Sequence, residues 1–280
     1  MSLAFATRLA GVFAGQGRLC VGIDPHSWLL SEWNLPDSAE GAREFGLRVV
    51  DAADGLAGIV KPQVAFFERF GARGFDALEQ VISDARSRGI LVIADAKRGD
   101  VGSSVDAYGE TWLGDGSPLE SDAVTLNPFQ GVGALHGPFE LAHRNGKGVF
   151  VLAATSNPEG IAGQKAKLAS GATLARSILD DVTTWNAAHA TGPLGDVGVV
   201  LGATLDLSGF ELGDAPVPAP PVLAPGFGHQ GASASALKTI YGNLADGVIV
   251  SESRALLAAG PGGIRQAVAA RAEEVRLASG

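Results

Sequence analysis

The amino-acid sequence predicts an α/β protein, a single (β/α)8 TIM barrel spanning residues 1–280. Three observations predict it. Eight short apolar runs rich in β-formers recur along the chain, helical segments separate them, and polar residues gather at their carboxyl ends. Runs that are apolar throughout fit strands buried on both faces, as in a parallel sheet clothed by helices, and eight strand–helix units suffice to close a barrel.

The first segment, "MSLAFATRLAGVFAG", is interrupted by Arg8, and Leu9, Val12 and Phe13 fall at helical spacing. An amphipathic helix is therefore expected there rather than a signal peptide. "LCVGI" at 19–23 is the first strand, and its Cys20, the one cysteine of the chain, reads as a buried inert thiol. The helical stretch "AREFGLRVVDAA" at 42–53 precedes a second strand, "AGIVKP" at 57–62, and "FDALEQVISDARSRG" at 75–89 precedes a third, "ILVIADA" at 90–96. "DAVTL" at 122–126 and "GVFVLAA" at 148–154 follow as the fourth and fifth. A helix over "ATLARSILDDVTTWNAA" at 172–188 leads to the sixth strand, "VGVVLGA" at 197–203. The Pro-, Gly- and Ala-rich stretch 205–221 reads as a long surface loop before the seventh strand, "PVLAP" at 221–225, and "GVIVS" at 247–251 is the eighth. A doubly wound open sheet is the alternative, but it usually carries its glycine-rich phosphate loop after the first strand, where this chain has "DPHSWLLSEW".

Composition narrows the function. With 46% hydrophobic and 18% charged residues, the chain fits a globular protein with a large core. A net charge of -9 argues against a general nucleic-acid binder, which needs a basic face, so any phosphate contact is local. No run of 18 apolar residues offers a membrane span, and the cytoplasm is the expected location.

In a barrel of this kind chemistry collects where the strands end. Asp24 ends the first strand, Lys61 the second, and Asp95 and Lys97 the third, with Asp100 just beyond. Thr155, Ser156 and Asn157 follow the fifth, and Ser253 and Arg254 the eighth. Asp24–Pro25 and Asn157–Pro158 also suit plain turns. Asp95 and Lys97, two apart, share a strand face while Ala96 points away. A lysine between carboxylates stays an ammonium, a positioned proton donor rather than a nucleophile; a structural ion pair is the competing explanation. The embedded Arg-Gly-Asp is read as coincidence. Lys61 stands at an equivalent height on the neighbouring strand, so two lysines and two aspartates can alternate in one rigid array.

"APGFGHQGA" places Gly226, Gly228 and Gly231 in the G-x-G-x-x-G pattern, but after the seventh strand, outside the context of a dinucleotide fold. Loops after strands 7 and 8 of such barrels frequently bind phosphate through backbone N–H groups, and here they add Gln230 and Arg254, whose guanidinium fork suits a phosphate dianion. A single phosphomonoester is the ligand class expected. His26 and His229 lie near the mouth without metal-ligand spacing, and His136, His143 and His189 read as surface.

Taken in order, Asp24, Lys61, the D-x-K-x-x-D of Asp95, Lys97 and Asp100, "ATSNPEG", "PGFGHQG" and Ser253–Arg254 resemble the orotidine 5'-phosphate decarboxylase family, and the "TSNPEG" and "SESR" wording is similar to its longer bacterial subgroup. The resemblance runs from residue 24 to 254. It implies conversion of orotidine 5'-phosphate to uridine 5'-phosphate in pyrimidine biosynthesis, with no metal or organic cofactor. It also implies a homodimer whose active sites are shared through Asp100. Lys97 would protonate C6 of the pyrimidine, Asp95 would face the departing carboxylate, and Lys61 would hold Asp95 and a ribose hydroxyl. Asp24 would bind ribose, Ser156 the pyrimidine, with Thr155 beside it, and Gln230, Gly231, Ser253 and Arg254 would form the phosphate end. Ser104 stands where shorter members carry a threonine that contacts ribose across the dimer.

Other readings remain. Sugar-phosphate decarboxylases or aldolases of the same superfamily share D-x-K-x-x-D but use Mg2+, and the cation Lys61 at the second strand disfavours a metal there. A Schiff-base aldolase is disfavoured because a protonated Lys97 is a poor nucleophile. A nucleotide-binding protein without turnover would have to retain a full set of costly charges.

Overall fold

The computed structural model describes residues 3–213 and 218–279. Eight parallel strands pair in sequence order into a closed barrel. They are β1 (Leu19–Ile23), β2 (Ile59–Pro62), β3 (Leu91–Arg98), β4 (Ala123–Leu126), β5 (Gly148–Ala154), β6 (Val197–Leu201), β7 (Val222–Pro225) and β8 (Val248–Glu252). All eight fall on the apolar runs of the sequence. β3 runs two residues further than expected, through Lys97 and Arg98, because Arg98 still pairs with Leu126 of β4. Between Ala94 and Arg98 that pairing shifts register.

Alternation along the strands divides two cores. Val60, Val92, Ala94 and Val124 point outward and join the helical layer. Cys20, Ile59, Ile93, Ala123, Phe150, Leu223 and Ile249 point inward and fill the barrel. The lower end is plugged by the helix Phe5–Gly15, whose Phe5 and Leu9 join the inner cluster. Gly148 makes room for it, since a Cβ there would lie 2.4 Å from the Phe5 ring.

The helical layer is built from amphipathic segments, among them Ala39–Ala53, Ala72–Ser87 and Leu174–His189. The first starts on the Ser38 hydroxyl, which accepts from Gly41 N at 3.2 Å, and the third on Thr173, which accepts from Arg176 N at 3.1 Å; both are N-caps. The stretch 205–221 departs from a plain surface loop. It forms a 3-10 turn at Leu207–Phe210, and Leu207, Phe210 and Leu212 are buried against the core, so apolar residues dispersed among Pro and Gly anchor it. Residues 214–217 of that stretch lie outside the described residues. No described helix is long and apolar enough to cross a membrane.

Candidate active site

One step up the barrel from the apolar interior, the inward positions change character. Lys61 follows Ile59, Asp95 follows Ile93, Thr125 follows Ala123 and Ser251 follows Ile249, each at the same strand parity, and all four polar residues are buried. Lys61, Asp95 and Ser251 floor a cavity of about 660 Å³ at the carboxyl end of the barrel, with Thr125 packed behind them. Asp24, His26, Gln63, Lys97 and Phe66 border one side of it, and Ser156, Gln230, Glu252, Ser253 and Arg254 the other.

Asp95 is the hub. Its Oδ2 accepts from Lys61 Nζ at 2.8 Å and Gln63 Nε2 at 3.1 Å. Its Oδ1 accepts from Lys97 Nζ and from Thr125 Oγ1, the latter at 2.9 Å. Burial alone would raise this carboxyl; the two ammonium groups overturn that effect and hold it well below the ordinary carboxylate range. Lys61 shows the mirror image: burial would lower it, but Asp95 and Asp24 raise it above the usual lysine value.

Lys97 differs from its neighbour. Its side chain keeps 43% of its exposure against 9% for Lys61. Burial lowers it, Asp95 opposes and Lys61 reinforces that shift, and the net direction is downward, toward an easier proton donor. Its backbone takes φ +49°, a left-handed conformation uncommon outside glycine, and its N–H donates to Thr125 Oγ1 at 3.0 Å. The strand-face argument from sequence is thus right about direction but incomplete: the chain leaves regular β geometry to lift this ammonium into the cavity.

The second carboxylate near Lys97 is Asp24 rather than Asp100. Asp100 Oδ1 accepts from Val101 N at 2.9 Å, and Asp100 does not border the cavity of its own chain. Nor does Ser104, which is exposed on the helix Gly102–Leu113. Asp24 does border it, and its Oδ1 is buried without a hydrogen-bond partner among the described residues.

At the other side, Ser156 Oγ donates to Gln230 Oε1 at 3.3 Å, tying the loop after β5 to the loop after β7. Thr155 Oγ1 donates to Asn157 Oδ1 and accepts from Gln164 Nε2, both at 2.7 Å, which folds that loop over the rim. Gly228 and Gly231 take φ +67° and +103°, and a Cβ on Gly228 would lie 2.7 Å from Glu252 Oε2. Gly228 therefore leaves room for the Glu252 carboxylate, whereas Gly231 is required only by its left-handed backbone, with open space where a Cβ would stand. Gly231 itself stands outside the cavity wall, whereas Gly226 borders it. Arg254 opens the short helix Arg254–Leu257 beside them.

Thr125, Gln63, Phe66 and Glu252 were not expected from sequence. Thr125 and Gln63 carry a usable signal, since each is a polar residue at inward parity just beyond the apolar layer. Phe66 packs 4.1 Å from the His26 ring, which only the tertiary structure brings together. Glu252 is buried and paired with Arg271 of the helix Gly260–Ser279, and no feature of "SESR" tells it from a solvent-facing acid.

The cavity thus sets a lysine–carboxylate–lysine array on one side and Gln230, Ser253 and Arg254 on the other. The model of the orotidine 5'-phosphate decarboxylase / HUMPS family matches residues 17–268. The chain belongs to that family. An orotidine 5'-phosphate decarboxylase of Salinispora tropica is 50% identical over 258 residues, which span 92% of this chain and 91% of that one. One of Corynebacterium efficiens is 46% identical over 98% of both chains. A crystal structure assigned to orotidine 5'-phosphate decarboxylase from Streptomyces avermitilis superposes with a TM-score of 0.94 at 43% identity, over 99% of this chain and 96% of that one. The Leishmania donovani decarboxylase structure gives 0.79 at 30% identity over 99% of each. Family members thus share the closed barrel found here.

Proposed function

We propose that this chain decarboxylates orotidine 5'-phosphate to uridine 5'-phosphate, with Lys97 as the proton donor and without a metal or organic cofactor. The observation that carries the proposal is the Lys97–Asp95–Lys61 array: an accessible ammonium, lowered toward donation, hydrogen-bonded to a buried carboxylate that a second ammonium keeps charged.

The chemistry follows from that charge pattern. Substrate bound with its carboxylate against Asp95 is poorly matched in the ground state. As the C6–carboxylate bond breaks, the electron pair stays on C6, carbon dioxide leaves, and the new negative charge lies beside the Lys97 ammonium. Stabilisation that exists only then lowers the barrier. Lys97 Nζ gives its proton to C6 and is reprotonated from solvent. Lys61 fixes Asp95 and reaches a ribose hydroxyl, and the Asp24 carboxylate accepts from another. Ser156 and Thr155 meet the pyrimidine, while Gln230, Ser253 and Arg254 hold the phosphate. Binding energy from the phosphate offsets the unfavourable contact at Asp95.

Asp100 and Ser104 act in the cavity of a second copy of the chain. Beside Asp100, Val101 is 54% exposed and Phe129 88%, large apolar side chains on adjoining loops that a second copy would cover. Mixing Lys97→Ala with Asp100→Ala subunits tests this: recovered activity supports shared sites, and no recovery despite subunit exchange removes them.

The activity itself is tested by following the absorbance of orotidine 5'-phosphate with purified protein, with and without a strong chelator. Loss indifferent to chelator and absent in Lys97→Ala is expected. Loss that the chelator stops would overturn the cofactor-free mechanism, and no loss at all would overturn the activity.

A further inference from the structure

We infer that Thr125 is a positioning residue for the proton donor, and that its single hydroxyl holds Lys97 in the backbone conformation from which the ammonium reaches the cavity. The inference rests on the reading of Lys97 as the proton donor. Thr125 is fully buried in the middle of β4, where its neighbours Val124 and Leu126 face the helical layer. A buried hydroxyl in an apolar strand costs stability unless it is bonded. Here it is bonded twice, to two parts of one catalytic pair: it accepts from Lys97 N at 3.0 Å and donates to Asp95 Oδ1 at 2.9 Å.

The geometry gives these bonds a specific task. Regular pairing of β3 with β4 covers Ile93 and Ala94, then resumes only at Arg98, one register shift later. Lys97 lies in that gap with φ +49°, so no strand ladder holds its N–H. The Thr125 hydroxyl is the acceptor that replaces the ladder. Because the hydroxyl has one proton and spends it on Asp95 Oδ1, the same atom aligns the carboxylate oxygen that receives Lys97 Nζ. Backbone and side chain of the donor are thereby referenced to one point on the neighbouring strand. A displacement of about 1 Å at such a site costs on the order of 100-fold in rate.

Thr125→Val keeps the shape and removes both bonds, whereas Thr125→Ser keeps the hydroxyl. For Thr125→Val we expect kcat to fall roughly 100-fold while KM for orotidine 5'-phosphate and the affinity for uridine 5'-phosphate stay near wild type, since ribose and phosphate contacts lie elsewhere. Thr125→Ser should restore most of kcat. Amide hydrogen exchange at Lys97, read without substrate, should accelerate in Thr125→Val and not in Thr125→Ser. Wild-type kcat and wild-type Lys97 exchange in Thr125→Val would overturn the inference, as would a Thr125→Ser variant as impaired as Thr125→Val. These outcomes differ from failure of the functional reading, in which the wild-type protein itself leaves orotidine 5'-phosphate unchanged while the exchange measurement still reports on Thr125.

Discussion

At the mouth of the barrel Asp95 lies between Lys61 and Lys97; at the opposite end Glu120, just ahead of β4, lies between Arg86 and Lys147. Each cluster is one carboxylate held by two cations, and in each the carboxyl is shifted downward. Glu120 is brought to about 2, its burial outweighed by Lys147, the Gly116 N–H and Arg86. The difference lies in what surrounds them. Glu120 accepts from two side chains and from the backbone of its own loop, with Arg86, with Lys147 Nζ at 2.7 Å and with Gly116 N at 2.9 Å, and so ties the starts of β4 and β5 to the helix Ala72–Ser87. Asp95 instead faces a cavity, and one of its cations sits on a left-handed residue with much of its side chain accessible. Composition does not separate the proposed catalytic array from a structural clasp. Position relative to the carboxyl ends of the strands does, because there the βα loops surround the cavity that Asp95, Lys61 and Lys97 border, whereas among the described residues Glu120 borders none of comparable size.

The largest expected difference between the clusters is in turnover. Lys97→Ala should lower kcat by roughly 10⁴-fold, the upper range for a positioned acid, while Glu120→Gln leaves steady-state turnover of orotidine 5'-phosphate at the wild-type level. An equal loss in both variants would break the distinction. Next in size is Arg254→Ala, far from Lys97 but at the same mouth: loss of a charged phosphate contact should cost about 2–4 kcal/mol, or roughly 30- to 1000-fold in kcat/KM. Near-wild-type efficiency would remove Arg254 from the phosphate site.

Smaller effects appear in stability against pH. A glutamate held at about 2 in the folded chain binds fewer protons there than in the unfolded chain. Its contribution is therefore complete above about pH 5 and is lost as pH falls toward 2. Glu120→Gln should lower the urea midpoint at pH 7 by an amount equivalent to about 1–2 kcal/mol, allowing for partial solvent access, and should flatten the decline below pH 5. Asp95 is shifted the same way, so some acid dependence survives in the variant. A wild-type acid profile in Glu120→Gln would show that the lower cluster contributes nothing. Smallest of all, Ser156→Ala should raise KM by about 3- to 10-fold, the worth of one hydrogen bond, in the same turnover measurement; an unchanged KM would detach the β5 loop from substrate.

The sequence by itself determined the eight strands, because continuous apolar runs admit few other environments, and it determined the charged types at the strand ends, because such residues have no place in the layer below. Lys61, Asp95, Lys97 and Arg254 were legible for that reason, Ser156 and Gln230 only from the order of motifs that resembled a family. Tertiary structure decided what each charge meets. Asp100 and Lys97 are close in sequence, yet the chain turns between them and Asp100 binds Val101 N, leaving Asp24, just past β1, as the other carboxylate acting on Lys97. Likewise Thr125 reads only as a polar residue at inward parity, without a partner, until the register shift in β3 brings the Lys97 N–H to its hydroxyl. Strand periodicity is local and survives in the sequence; the left-handed turn of Lys97 and the partners of each carboxylate depend on barrel closure, which sets segments distant in the chain side by side.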